Sequence, residues 1–123
     1  MKAGISSDVI RGYNDTMILC ILSEGENYGY EISKQIRLRT EEKYIIKETT
    51  LYSAFTRLEK NGLIESFYMD TGPEGNAKKR TYYRITDNGR EFYRERCDEW
   101  ILTKEVVEKF IREDLYGNYK KLS

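Results

Sequence analysis

Two clusters of side chains in this chain could do chemistry. Thr49, Thr50, Tyr52, Ser53 and Arg57 crowd one short polar stretch, and Lys78, Lys79 and Arg80 are consecutive. Hydroxyls and a guanidinium on one helix face can bond to base edges in a major groove or to phosphates. Three consecutive cations suit the phosphates of a nucleic-acid backbone, although a charged strand end also discourages strand pairing. Catalytic alternatives are few. Histidine is absent, which removes Ser-His-Asp and Cys-His chemistry and histidine metal ligation. No GxGxxG or Walker loop occurs, and Cys20 and Cys97 form no CxxC pair. No enzyme activity, cofactor or metal is expected.

With 123 residues the chain is sized for one domain with a modest core, so association between chains is expected. Its 21 basic and 21 acidic residues cancel, which does not by itself favour nucleic acid. The charge is uneven, however. Between Lys34 and Lys60 seven basic residues face four acidic ones, and between Gly75 and Arg84 Lys78, Lys79, Arg80 and Arg84 meet no acid. A neutral protein can in this way present a basic face. Tyrosine supplies 11 residues, a composition suited to recognition because the ring packs while the hydroxyl hydrogen-bonds. Neither a signal-peptide pattern nor a membrane-length apolar run is read, so a cytoplasmic location is expected.

The elements that must position these residues follow from periodicity. A first helix is predicted over Asp8–Leu22, capped by Ser6 or Ser7 and buried through Met17, Ile18, Leu19, Ile21 and Leu22. A second helix is predicted from Asn27 to Arg39, followed by a turn or short extended segment over Thr40–Lys47. Thr49 is expected to cap a third helix with the apolar stripe Leu51, Ala54, Phe55 and Leu58, ended by Asn61-Gly62. Leu63–Met69 and Lys79–Ile85 read as strands around a hairpin tip over Asp70–Ala77. Thr86 opens a last helix reaching Tyr116, stopped by Gly117-Asn118 and followed by a frayed tail. The fold class is therefore mainly α with a small β-hairpin, a winged helix-turn-helix. Residues 1–85 are expected to form the DNA-binding domain and 86–123 a C-terminal dimerisation helix and tail.

Some 30 helical residues would extend about 45 Å, farther than the body of so small a domain. Tyr93, Cys97, Trp100, Val107 and Ile111 form an apolar seam on that helix, interrupted by Lys104 and widened by Phe92, Ile101, Val106 and Phe110. The seam predicts a homodimer, with Tyr93, Trp100, Val107, Phe110 and Ile111 at the interface; packing on its own chain is the alternative. Trp100 is either ordinary interface packing or the wall of a cavity between protomers, where two indoles could sandwich a flat ligand.

Asn27-Tyr28-Gly29-Tyr30-Glu31-Ile32, Glu48-Thr49-Thr50-Leu51-Tyr52, Arg57-Leu58-Glu59-Lys60-Asn61-Gly62-Leu63-Ile64 and Arg80-Thr81-Tyr82-Tyr83-Arg84-Ile85-Thr86-Asp87-Asn88-Gly89 together resemble the PadR family of bacterial transcriptional regulators. The resemblance covers residues 11 to 111. It implies a homodimeric repressor whose third helix and wing contact DNA and whose last helix dimerises. The short C-terminal part is similar to the branch with one terminal helix. Multidrug-responsive members of that branch have a pore flanked by paired tryptophans, a position that Glu99-Trp100 matches. The candidate pore residues are then Tyr13, Tyr93, Cys97, Trp100 and Lys104, with Tyr13 and Tyr93 placed to narrow or close it. Lys104 stands where the drug-binding type has an acid, and its charge would oppose cationic ligands.

The sequence thus predicts a repressor that binds double-stranded DNA at a palindromic operator as a homodimer, released by a small aromatic ligand or another signal. The alternative is a winged-helix protein-interaction module without DNA binding. On the first reading Arg57→Ala changes sequence preference, whereas Lys79→Ala weakens binding evenly and flattens its salt dependence.

Overall fold

A computed structural model describes residues 4–71 and 78–122. The chain runs α1 (Ser7–Ile10), a 3-10 turn (Arg11–Tyr13), α2 (Asn14–Glu24), β1 (Asn27–Tyr28), α3 (Gly29–Arg39), α4 (Glu48–Lys60), β2 (Ile64–Thr71), β3 (Lys78–Ile85), α5 (Asp87–Glu108) and α6 (Glu113–Leu122). It is a mainly helical winged-helix fold with a small antiparallel sheet.

The first predicted helix is divided. Ser6 caps α1, its hydroxyl accepting from the Val9 N–H, but the helix tightens to 3-10 at Arg11–Tyr13 and restarts at Asn14. Gly12 lies in the tightened turn, and glycine is costly in a helix interior. Asn14 is buried and accepts a 2.7 Å hydrogen bond from the Tyr44 hydroxyl, so the break delivers a satisfied polar side chain to the core edge.

Ile18, Leu19, Ile32, Ile36, Leu51, Phe55, Leu58 and Ile64 form the centre of one core. α2, α3 and α4 each contribute one face, and β2 and β3 close it with Ile64, Tyr83 and Ile85. α4 ends where Asn61-Gly62 predicted. Gly62 has φ +72°, its N–H donates to the Glu59 carbonyl and the Leu63 N–H to that of Leu58, a Schellman closure that needs the left-handed conformation. Lys47, not Thr49, occupies the N-cap of α4.

Asn27 and Tyr28, expected to open a helix, instead pair with Tyr83 and Tyr82 as β1. The sheet has three strands in the order β1-β3-β2. β2 and β3 pair in continuous register from Ile64↔Ile85 to Thr71↔Lys78. Of the hairpin tip expected over Asp70–Ala77, residues 72–77 lie outside the described residues.

The last helix is shorter than predicted. Thr86 caps α5, accepting from the Gly89 N–H at 3.0 Å while its hydroxyl donates to the Gly62 carbonyl at 2.7 Å. Twenty-two residues extend about 33 Å. At Lys109, Phe110 and Ile111 the N–H groups bond three residues back, which closes α5. A new helix starts after Arg112, with Glu113 and Asp114 in its first turn, where carboxylates complement the helix dipole. Gly117-Asn118 lies inside α6 and does not end it.

Candidate nucleic-acid interface

α4 is held by its buried stripe of Leu51, Ala54, Phe55 and Leu58. At about 100° per residue, the line opposite that stripe is Thr49, Ser53, Thr56 and Lys60; all four are exposed. Thr50 and Arg57 lean to one side of this line, Tyr52 and Glu59 to the other. Thr56 and Lys60 are not among the predicted DNA-binding residues, although the helical period alone places them outward.

The flanking residues have partners. Tyr52 folds over the start of α3, where a Cβ on Gly29 would overlap its hydroxyl, and its ring meets Phe55 edge-on at 5.4 Å. Phe55 stacks on Tyr83 at 4.1 Å. Burial, and then the neighbouring Tyr52 and Glu59, push the Tyr83 phenol above its ordinary range. Glu59 accepts from the Ser66 N–H at 3.3 Å and so ties α4 to β2. On the other side Arg57 forms an ion pair with Asp15 of α2. No local pattern signals that pairing, because its partners are distant in sequence.

The strand pleat divides the wing's cations. Arg80 stands on one face of β3 and Lys79 on the other. Lys79 is exposed and registers against Asp70; the Lys78 side chain lies outside those described. Arg80 sits over the Tyr28 ring at 4.2 Å, Tyr28 meets Tyr82 at 5.2 Å, Tyr82 meets Phe67 at 5.9 Å, and Arg84 covers Phe67 at 4.4 Å. Cation–π and aromatic contacts thus stiffen the outer face of the wing. Arg84 also lies 3.3 Å from Glu26 and 3.6 Å from Glu65, which occupies its charge.

Two concavities flank the start of α2. One, of about 590 Å³, opens between the 3-10 turn, α4 and α5 and is lined by Arg11, Asp15, Thr50, Ser53, Arg57 and Arg96. The other, of about 630 Å³, is an apolar groove whose lining includes Val9, Tyr13, Met17, Trp100, Lys104 and Val107. Tyr13 meets Trp100 edge-on at 5.4 Å. Lys104 lies 3.7 Å from Glu108 one turn on, so its positive charge is partly offset. Of the five candidate pore residues, the structure brings Tyr13, Trp100 and Lys104 to this groove. Tyr93 packs against the core instead. Its phenol is pushed well above the ordinary tyrosine range by hydrogen bonding to the Cys20 and Cys97 thiols first, and by burial second.

Trp100, Val107, Phe110 and Ile111, four of the five expected interface residues, are exposed, Trp100 by 46% and Phe110 by 78%. Tyr93, the fifth, is half-buried. Among the described residues no group of three or more His, Cys, Asp or Glu could hold a metal ion, and no helix is long and apolar enough to cross a membrane.

The sequence profile of the transcriptional regulator PadR-like family matches residues 18–95. The chain is similar to a transcriptional regulator from Clostridium thermocellum, with 62% identity, a TM-score of 0.78 and coverage of 86% of this chain and 100% of that one. It is also similar to a PadR family transcription regulator from Clostridium difficile, at 38% identity, TM-score 0.68 and coverage of 80% and 97%. An uncharacterized protein of Lysinibacillus sphaericus is 45% identical over 107 residues, 87% of this chain and 95% of that protein.

Proposed function

This chain belongs to the PadR-like family of transcriptional regulators, and from that premise we propose that it is a homodimeric repressor that reads a palindromic operator. The observation that carries the reading is the exposed line Thr49, Ser53, Thr56 and Lys60 on a helix anchored to the core. Short hydroxyls and one flexible cation suit base edges in a major groove. Thr50, Tyr52 and Arg57 flank that line, and Lys78, Lys79 and Arg80 at the wing end take backbone phosphates. In this division of labour residues 1–85 read DNA and 86–123 dimerise.

The exposed apolar residues of α5 and the groove beside them support dimerisation. A second copy laid along Trp100, Val107, Phe110 and Ile111 would remove that surface from water and space two α4 helices on one duplex face, about 34 Å apart. The groove with Tyr13 and Trp100 supports a flat aromatic effector. Such a ligand, bound better by one relative orientation of the two halves, shifts the protein away from the DNA-competent one.

Gel shifts on the chain's own promoter region test the DNA reading. Ser53→Ala and Lys60→Ala should alter preference at individual base pairs by about 1–3 kcal/mol, and Lys79→Ala should weaken all duplexes alike. Absence of any duplex binding at low salt would favour a protein-interaction module. For the effector, emission of Trp100, the single tryptophan, should change as flat aromatic compounds are titrated; a flat response across a broad set would remove the ligand from the scheme.

A further inference from the structure

The hollow beside α4 has no role in the scheme so far. Its lining holds three arginines, Arg11, Arg57 and Arg96, against one carboxylate residue, Asp15, together with Thr49, Thr50 and Ser53. The arginines come from three elements: the 3-10 turn, α4 and α5. Each is oriented by an acid through one terminal nitrogen: Arg11 by Asp8 at 2.9 Å, Arg57 by Asp15 and Arg96 by Glu99. Asp8 and Glu99 are not among the lining residues. A guanidinium has five N–H donors, so one carboxylate partner leaves most donors free.

Its position decides what it can hold. On the DNA-binding reading the outward line of α4 would point at the floor of the major groove, and the residues on its flanks would face the strands that wall it. The β2–β3 wing occupies the Tyr52 and Glu59 flank, and the hollow occupies the Thr50 and Arg57 flank.

We propose that this hollow seats a backbone phosphate of the bound duplex, with Arg11, Arg57 and Arg96 as its cationic lining and Asp15 as the residue that positions Arg57. The proposal rests on the DNA-binding reading above and adds to it a phosphate site built partly outside the helix-turn-helix and wing. It also changes the role of Arg57. Held to the flank by Asp15, that side chain meets the backbone and does not read a base.

The test combines protein and DNA variants. Wild type, Arg11→Gln and Arg96→Gln are titrated onto the chain's promoter duplex over a range of salt. Methylphosphonate, a neutral isostere, then replaces single phosphates in turn. Each variant should bind operator and random duplex more weakly by the same factor. Each should also flatten the slope of log affinity against log salt by about 0.9 for every phosphate no longer neutralised, twice that for a dimer. Wild type should be sensitive to methylphosphonate at one or two positions per half-site, and Arg96→Gln should lose that sensitivity. Arg57→Ala should weaken all sequences alike, and Asp15→Asn should weaken the same methylphosphonate sensitivity without changing base preference. Unchanged salt slopes in both Arg11→Gln and Arg96→Gln would overturn the proposal, as would methylphosphonate sensitivity retained in both. So would a flat wild-type methylphosphonate series combined with competition by inorganic phosphate beyond chloride of equal ionic strength, which would make the hollow a free-anion site. If wild type binds no duplex at all, the DNA-binding premise fails first and the seat with it; operator binding with unaffected variants fails the seat alone.

Discussion

The two ends of this chain treat their apolar residues in opposite ways. From α2 to β3 most of the large aliphatic side chains are turned inward, Leu38 and Ile45 excepted, and Ile18, Leu19, Ile32, Leu51, Phe55 and Leu58 are almost wholly buried. Along α5 the only buried residue is Gly89, while Trp100, Ile101, Leu102, Val106 and Val107 are exposed. The first region covers most of its aliphatic surface with its own chain; the second leaves its apolar residues exposed. An exposed apolar stripe of this kind supports the proposed association between chains. On the proposed reading the contrast is a division of labour: a head packed around its own core fixes polar residues outward, and an arm with exposed apolar residues would make the geometry depend on a second copy.

Substitutions can sharpen or break that contrast, beginning in the head. Phe55 is buried between Tyr83 and the edge of Tyr52, and Phe55→Ala should cost about 3–5 kcal/mol of folding stability. Urea unfolding measures this, and a loss below about 1 kcal/mol would mean that the core is looser than its burial implies. In the arm the same kind of truncation should act on assembly. Trp100→Ala should raise the dimer dissociation constant by about thirtyfold, near 2 kcal/mol, as read by sedimentation. A large fall in the stability of the dissociated chain, with assembly unchanged, would assign Trp100 to the head instead.

The junction should give a smaller effect. Thr86→Ala removes the cap of α5 and the hydrogen bond to Gly62, and about 1 kcal/mol should be lost. Hydrogen exchange should localise the loss to the first turn of α5; uniform exchange along α5 would show that the arm and head do not unfold separately.

The smallest effect is alkaline. Tyr44, Tyr83 and Tyr93 all titrate above the ordinary tyrosine range: burial is the leading cause for the first two, and thiol hydrogen bonds for Tyr93. The folded values exceed the unfolded ones, so this stabilisation is complete below about pH 10 and is lost as pH rises through the folded values. Phenolate absorbance should show a late fraction of the 11 tyrosines ionising together with loss of helical signal. Ionisation of all of them in one early step, with helix retained, would contradict the burial that separates head from arm.

Local chemistry was legible where it is self-contained. The stripe of α4, its Gly62 stop, the Ser6 cap of α1 and the two long wing strands follow from period, capping and turn preference. Gly12 inside the first helix and the paired acids Glu113-Asp114 are local signals too, yet they were outweighed by the stronger apolar pattern and by Gly117-Asn118. The polar face of α4 was visible as a face, but its division into a centre and two flanks was not. That division depends on Tyr52 reaching Gly29 and Arg57 reaching Asp15.

By itself, then, the amino-acid order determined the succession of the main helices and the two long wing strands, which stripes are apolar, and that catalysis has no obvious machinery. Tertiary structure alone decided that Asn27-Tyr28 becomes a third strand, that Arg57 pairs with Asp15, and that three arginines from separate elements share one hollow. The reason is range. Periodicity and capping act over a few residues, whereas strand pairing and ion pairs between distant segments exist only once the core has brought those segments together.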